Sequence, residues 1–509
     1  MVNRFLDFIE KHLFLSLIIV AGLRLLFLAA SDFDLLGDES YYWDWSRHPD
    51  ICYYSKPPMV AWLIGLVTFL FGDSAFVVRL PAVILGSIFL YYFHATTRFY
   101  YGSRNAALAL LLILATPINL LANFLMTIDP PLYCFWIMSL FYLSRAIFAS
   151  DQSAWLKAGL ATAAALMSKQ VALLLPGLAL VFILLSPGYR HLIYRFFTQY
   201  LVPVILAGGL IVFWNSQHAW IMFGHSQEHF VEHTGETWLK HLQHARDFWF
   251  YQLLLMTPPV FVLVLVTAIA MLFGFKQLNA EQRFLWLTGP SLLLGILVAS
   301  FMRKMQGNWP MPFYFTALIL LVGRWSFDDW PRVWKWILGL GFSLVLVTSF
   351  LPPLIGVSGL KGSQWDPTHR FKSWQPIAEQ VDVIRQTVQT DLPNTFVVTL
   401  GHRNLASQLA FYLHDHPAVF RYEPSGQVLS QYEVWGGPTQ RIGQSAFLIG
   451  ELTESELPEE LKKAFNSVRL IGQVNDPNRK NAVFYIFFAD KLLHWPVFEP
   501  QAGKVNDYE

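Results

Sequence analysis

Cysteine is nearly absent: Cys52 and Cys134 are the two in a chain of 509 residues. With Cys52 in a loop and Cys134 inside an apolar run, they make no disulfide framework, and cysteine content leaves the compartment open. Charge is scarce as well. Asp, Glu, Lys and Arg together make up 14% of the residues, against about 25% in a typical soluble domain, which excludes an ordinary soluble globular protein. The net charge of +1 and the lack of any long basic or acidic run exclude nucleic-acid binding through a bulk field and any electrostatic tail. No soluble-repeat periodicity and no low-complexity tract interrupts the chain. Recognition must therefore be local.

Long apolar runs are abundant. Leu13 to Ala30 is 18 residues, enough to cross the hydrocarbon and longer than a signal-peptide core, so it reads as a retained first helix although Ala29 to Ser31 loosely resembles a cleavage site. Further runs lie near Pro81–Thr97, Ala106–Leu121, Pro130–Ile147, Trp155–Met167, Val171–Leu185, Leu201–Trp214, Phe248–Phe275, Phe284–Met302, Pro310–Val322 and Val333–Leu351. These runs predict a polytopic α-helical membrane protein with about eleven transmembrane helices plus interfacial segments. Met59–Phe71 is placed at the interface on charge grounds. Leaving it out puts the loops holding Arg98 and Arg104, Arg145 and Lys157, Arg190 and Arg195, Lys276 and Arg283, and Arg324, Arg332 and Lys335 on the side of Arg4 and Lys11. The positive-inside rule makes that side cytoplasmic.

The opposite face then receives residues 31–58, the start of the span at Asp129, the loop Asn215–Asp247, the loop Arg303–Trp309 and everything after about Leu354. Residues 1–353 are expected as a membrane domain and 354–509 as an extracytoplasmic α/β domain. Strand signals at "TFVVTL", "SAFLIG" and "AVFYIFF" alternate there with helix signals at Phe371–Thr390, Arg403–His414 and Leu457–Phe465.

The unusual chemistry falls on that outer face. Asp38 and Glu39 are adjacent carboxylates beside an aromatic run, and they suit a general base or a divalent metal as well as a helix cap. Asp129 precedes Pro130 and Pro131 at the head of a span, either as a simple cap or as a second carboxylate converging on the first. Lys56 before Pro57 and Pro58 either snorkels or contacts phosphate. Lys169, Arg303 and Lys304 sit in short outer loops where basic residues should be rare, and a bound anion would account for them. Tyr41, Tyr42, Trp43, Tyr53 and Tyr54 fit an interfacial aromatic belt or a sugar-stacking wall. His218, His225, His229 and His233 read as loop histidines, with a metal ligand set as the alternative.

In order along the chain, "GDESYYWDWSRH", "YYSKPPMVAWLI", "FGDSAFVVRLPAVILG", "TPINLLANFLMTIDPPLYCFW", "ALMSKQVALLLPG", "NSQHAW" and "GNWPMPFY" resemble the serial motifs of bacterial GT-C type polytopic glycosyltransferases. The nearest branches are those of dolichyl-phosphate-mannose-dependent mannosyltransferase-like proteins and of the lipid A aminoarabinose transferase. The resemblance implies an inverting transfer from a polyprenyl-phosphate sugar to a lipid or glycan acceptor on the periplasmic face of the inner membrane. It implies that Asp38 of "GDES" is the essential acidic residue, Asp129 of "TIDPP" a second carboxylate, and Lys56 of "SKPP" a ligand of the donor phosphate. The aminoarabinose branch carries Glu before that lysine where this chain has Ser55, so no cofactor is fixed and a divalent metal stays open. Lys56, Lys169, Arg303 and Lys304 are expected to stabilise the leaving phosphate, Asp38 with Glu39 and Asp129 to activate the acceptor, and Tyr42 to line the sugar. A polyprenyl-linked sugar flippase is the alternative, but such transporters bury charges near the midplane and show internal repeats, whereas here the expected spans after Arg24 are almost free of central charge and no halves match. The sugar and the acceptor, whether lipid A, core, O-antigen or protein, are not encoded in any motif.

Overall fold

The computed structural model describes residues 2–31, 33–228, 238–357, 373–388, 394–476 and 482–496. Its helices run in the order α1 (Val2–Lys11), α2 (Leu13–Ala30), α3 (Gly37–Ser46), α4 (Met59–Phe71), α5 (Ala75–Leu114), α6 (Pro117–Ala122), α7 (Asp129–Phe148), α8 (Ala154–Leu166) and α9 (Leu174–Leu185). There follow α10 (Ile193–Arg195), α11 (Leu201–Gln217), α12 (Ile221–Glu228), α13 (Trp238–Met256), α14 (Pro258–Phe273), α15 (Ala280–Leu287), α16 (Pro290–Ala299), α17 (Met311–Arg324) and α18 (Pro331–Val357). The C-terminal part alternates α19 (Trp374–Val388), β1 (Thr395–Leu400), α20 (Arg403–Tyr412), β2 (Val419–Tyr422), α21 (Gln431–Trp435), β3 (Ser445–Gly450), α22 (Glu459–Lys463), β4 (Phe465–Asn475) and β5 (Val483–Leu492).

Among the described residues, six helices are long and apolar enough to cross a membrane, or seven if the bent pair α13 and α14 counts as one span. The chain is therefore a membrane protein, with fewer full-length spans than the apolar runs suggested. Two physical causes account for the difference. Several runs are too short for roughly 30 Å of hydrocarbon, and α4, α8, Gln170–Leu185 and α17 remain shorter apolar helices. Elsewhere backbone breaks divide or end a run. The run Phe248–Phe275 bends by 109° between α13 and α14 at Thr257, whose φ of 67° is followed by two prolines that start a new helix. The runs Pro81–Thr97 and Ala106–Leu121 lie in one element, α5, broken at Gly102 (φ 78°, ψ 175°); the second run ends at Leu114, and α6 is separate.

The chain divides into two compact units, Met1–Ala30 with Lys56–Leu63 and Arg79–Leu351, and Ser31–Ser55 with Ile64–Val78 and Pro352–Glu509. In the first unit α17 is the central element. Every residue from Met311 to Val322 is buried, as expected of a helix apolar on all sides. It packs against α7, α14, α15 and α16.

The second unit is built on a mixed five-stranded sheet in the order β2-β1-β3-β5-β4. β1 pairs in parallel with β2 and β3, while β5 runs antiparallel to β3 and β4. The strands expected at "TFVVTL", "SAFLIG" and "AVFYIFF" are β1, β3 and β5, and β2 and β4 are additional. β1 is buried along its whole length, typical of a parallel strand covered on both faces. Phe396, Val398, Leu448 and Phe487 carry the core on one side of the sheet, and α20 is the crossover between β1 and β2.

Candidate active site

In the first unit, Asp129 opens α7, and Pro130 and Pro131 fix the first helical turn. Lys169 Nζ lies 2.9 Å from Asp129 Oδ1, and Asn308 Nδ2 donates to Asp129 Oδ2. The two charged side chains are 12% and 13% exposed, so each ion has lost most of its water and depends on the other. Lys169 stands in extended backbone just after α8. Two residues earlier, the Met167 carbonyl accepts the Met59 amide at 3.0 Å, which ties the head of α4, directly after Lys56-Pro57-Pro58, to the Lys169 segment. Asn308 is held through its neighbour. Gln252 Nε2 donates to the Gly307 carbonyl at 2.9 Å, and the buried Tyr314 hydroxyl donates to Gln252 Oε1 at 3.1 Å. Segments 56–59, 129, 167–169 and 307–308 are thereby gathered into one cluster. Arg303 is half-buried and Lys304 exposed in the loop leading to Asn308.

In the second unit, Asp38 occupies the first turn of α3, where the helix macrodipole favours an anion. Its side chain is 54% exposed, with Arg403 Nη2 at 3.8 Å from Oδ1. The Arg403 guanidinium also lies over the Tyr41 ring, 5.2 Å from its centroid. Burial works against the charge of Arg403, but Tyr41 and Asp38 outweigh it and hold its pKa above the ordinary arginine value. Glu39 has a different setting: it is fully buried and its Oε2 accepts the Leu36 amide at 3.0 Å. The two adjacent carboxylates thus have separate surroundings.

The position of α3 is fixed by α20 and α21. The closest approach is at Gly37, where a Cβ would lie 2.5 Å from Asn404 Cγ. Ser40 Oγ and Ser407 Oγ are 2.9 Å apart, Gln408 Nε2 donates to the Leu35 carbonyl at 2.8 Å, and the Leu35 amide donates to Tyr412 Oη at 2.6 Å. Further along, the Tyr432 hydroxyl donates to Asp44 Oδ2 at 2.7 Å and Arg47 Nη1 donates to Asp44 Oδ1 at 3.3 Å. Burial pushes the Asp44 pKa up, with Arg47 and Tyr432 opposing it. This docking buries Tyr41, Tyr42, Trp43, Tyr53 and Tyr54. They are packing residues of the second unit and not a lipid-facing belt.

Among the described residues the loop histidines form no ligand set. His218 stacks on Trp214 with ring centroids 4.0 Å apart, and His225 lies in α12; His229 and His233 lie outside the described residues. The one grouping of three metal-capable ligands among the described residues is Asp382, His414 and Asp415. The fully buried Arg385 already bridges it, with Nη1 3.0 Å from Asp382 Oδ1 and Nη2 2.9 Å from Asp415 Oδ2. That guanidinium, against the effect of burial, draws the Asp415 pKa below its ordinary value. The cluster is a paired ion network, in which a cation is already present.

Sequence reasoning missed Asn308 and Arg403. Asn308 had a signal, since it falls inside "GNWPMPFY"; Arg403 had none, being an ordinary residue at the start of a helix far along the chain.

Residues 55–214 match the family described as dolichyl-phosphate-mannose-protein mannosyltransferase. The lipid A galacturonosyltransferase RgtD of Rhizobium johnstonii is 26% identical over 468 residues, covering 88% of this chain and 93% of that protein. The structure of ArnT from Cupriavidus metallidurans bound to undecaprenyl phosphate superposes with a TM-score of 0.64 at 17% identity, covering 93% of this chain and 97% of the other. The apo form of the same protein gives a TM-score of 0.62 at 18% identity, over 94% and 98%. The serial motifs, the helical membrane unit, the C-terminal sheet and these similarities agree: the chain shares the fold of the ArnT structures and is similar in sequence to membrane glycosyltransferases.

Proposed function

We propose that this chain transfers a sugar from a polyprenyl-phosphate donor to an envelope glycolipid of the lipid A class, on the periplasmic face of the bacterial inner membrane. The observation that carries the reading is the setting of Asp38: a solvent-accessible carboxylate at a helix N-terminus with one cation among the described residues, Arg403, 3.8 Å away. A general base needs a carboxylate that the acceptor can reach. Asp38 takes the proton of the acceptor oxygen as that oxygen forms a bond to the anomeric carbon. The anomeric carbon–oxygen bond to the lipid phosphate breaks on the opposite face, inverting the centre, and the phosphate leaves with the electron pair. Lys56, Arg303 and Lys304 neutralise that oxyanion, with Lys169 held in place by Asp129 and Asn308. Glu39 holds the first turn of α3, and Tyr42 supports its inner face.

Two similarities support the donor and acceptor classes: the ArnT structure contains undecaprenyl phosphate, and the Rhizobium relative is named for lipid A. The topology proposed with this reading has a cytoplasmic N-terminus, about eleven membrane-crossing segments, a membrane domain over 1–353 and a periplasmic domain over 354–509. Reporter fusions at Gln277 and Gln427 are expected to report opposite sides.

The test is reconstitution of purified protein with polyprenyl-phosphate sugars and lipid A, followed by mass spectrometry of the acceptor. A mass increment of one sugar on lipid A is expected. Movement of the donor across the bilayer with no acceptor product would replace transfer by the flippase reading.

A further inference from the structure

Arg24 is the one charged residue in the 18-residue apolar helix α2, six residues before its end, or about 9 Å along the axis. An arginine at that depth is costly and normally serves a bound partner or pathway. Its Nη1 donates to Asn123 Oδ1 at 2.9 Å, whereas Nη2 is buried with no acceptor among the described residues. Asn123 in turn donates through Nδ2 to the carbonyl and side-chain oxygens of Asn119. The contact requires a glycine on the facing helix: a Cβ on Gly86 would lie 1.2 Å from Asn123 Oδ1 and 3.2 Å from Arg24 Nη1.

Gly86, Asn119 and Asn123 line a half-open cavity whose remaining wall is apolar apart from Tyr133. Tyr133 is 6% exposed, and its hydroxyl has no partner among the described residues. It sits one helical turn beyond Asp129 on α7, on the same face. The unfilled polar groups of Arg24 and Tyr133 both offer a proton, so their missing partner is an acceptor, and beside a guanidinium the favoured acceptor is an anion. The walls, including Phe89, Ile118 and Phe315, suit hydrocarbon.

We propose that Arg24, Asn119, Asn123 and Tyr133 form a binding site for the phosphate-bearing head of a membrane lipid, whose adjoining chain lies along the apolar wall of this cavity. Two lipids of the transfer reaction carry that chemistry, a polyprenyl phosphate and a phosphorylated glycolipid. The site rests on these side chains alone, so it can fail while the transfer reaction stands, and the reverse.

The experiment is equilibrium binding to full-length protein in phosphatidylcholine nanodiscs, with undecaprenyl phosphate, lipid A and the uncharged undecaprenol as probes. Arg24→Gln is expected to weaken binding of one phosphate-bearing probe about tenfold, and Tyr133→Phe about threefold, with undecaprenol binding unchanged. Arg24→Lys should recover part of the loss, since charge is kept without the planar fork. Loss confined to undecaprenyl phosphate identifies the donor as occupant; loss confined to lipid A identifies the acceptor. Unchanged affinity for both in Arg24→Gln and Tyr133→Phe overturns the proposal, as does an equal loss for undecaprenol, which would make the residues mere packing. Should Arg24→Gln fail to fold, Tyr133→Phe decides alone, because it removes one oxygen and keeps the shape.

Discussion

Asp38 and Asp129 both open a helix on an acidic first turn, and their surroundings differ in every other respect. Asp129 is 12% exposed and spends both oxygens on Lys169 and Asn308. Asp38 is 54% exposed and, among the described residues, has a single cation, Arg403, 3.8 Å away, beyond direct hydrogen bonding. A carboxylate locked into a desolvated pair stabilises and positions its partner; an open one beside a cation stays available to a proton. Local sequence, an acidic residue at a helix start in each case, does not distinguish the two. Their partners do, and these come from distant segments.

The comparison can be broken at four points, beginning with the largest effect. Asp38→Asn should lower turnover by about 10³-fold, within the usual range for a general base, while donor affinity and Tm stay unchanged; near-normal turnover would end the assignment. Asp129→Ala should destabilise the protein by about 3 kcal/mol, because it strands a buried lysine, and Asp129→Asn combined with Lys169→Met should recover most of that loss in thermal unfolding. Arg403→Gln should reduce kcat by about tenfold with KM for the donor unchanged, and Arg403→Lys should restore part of it. A fall in Tm without a change in kcat would make Arg403 purely structural. The smallest effect concerns Asp44. Burial raises its pKa above 3.8, so its stabilising contribution is full below that pH and is lost as pH rises through the higher folded-state value. Asp44→Asn should therefore look better relative to the parent protein at pH 7 than at pH 4 when Tm is compared.

How much of this was legible in the sequence depended on the range of the interaction. Apolar runs located the helices because hydrocarbon length is a local property. Their breaks were less visible, since the bend at Thr257 arises from one backbone conformation ahead of two prolines inside an otherwise continuous run. Strand β4 escaped notice because "FNSVRLIGQVN" is largely exposed along its length and lacks a strong apolar alternation, and β2 is only four residues. At the site, Asp38, Asp129 and Lys169 stood out through motif and loop position. Asn308 meets Asp129 across 179 residues, and no local pattern announces such a pairing. The aromatic residues around Trp43 suggested a membrane belt by composition, but their burial is decided by α20, which lies in a different part of the chain.

The docking of α3 on α20 has a consequence for how the chain is made. Ser40 and Ser407 are bonded across 367 residues, so at a synthesis rate of about 5–20 residues per second the loop bearing Asp38 emerges some 20–70 s before its platform exists. During that interval the membrane segments can insert, but the loop has nothing to fold against. Nascent chains stopped before β1 should thus hold a protease-sensitive segment around residues 31–55, and activity should arrive only when the last strands of the sheet have been translated.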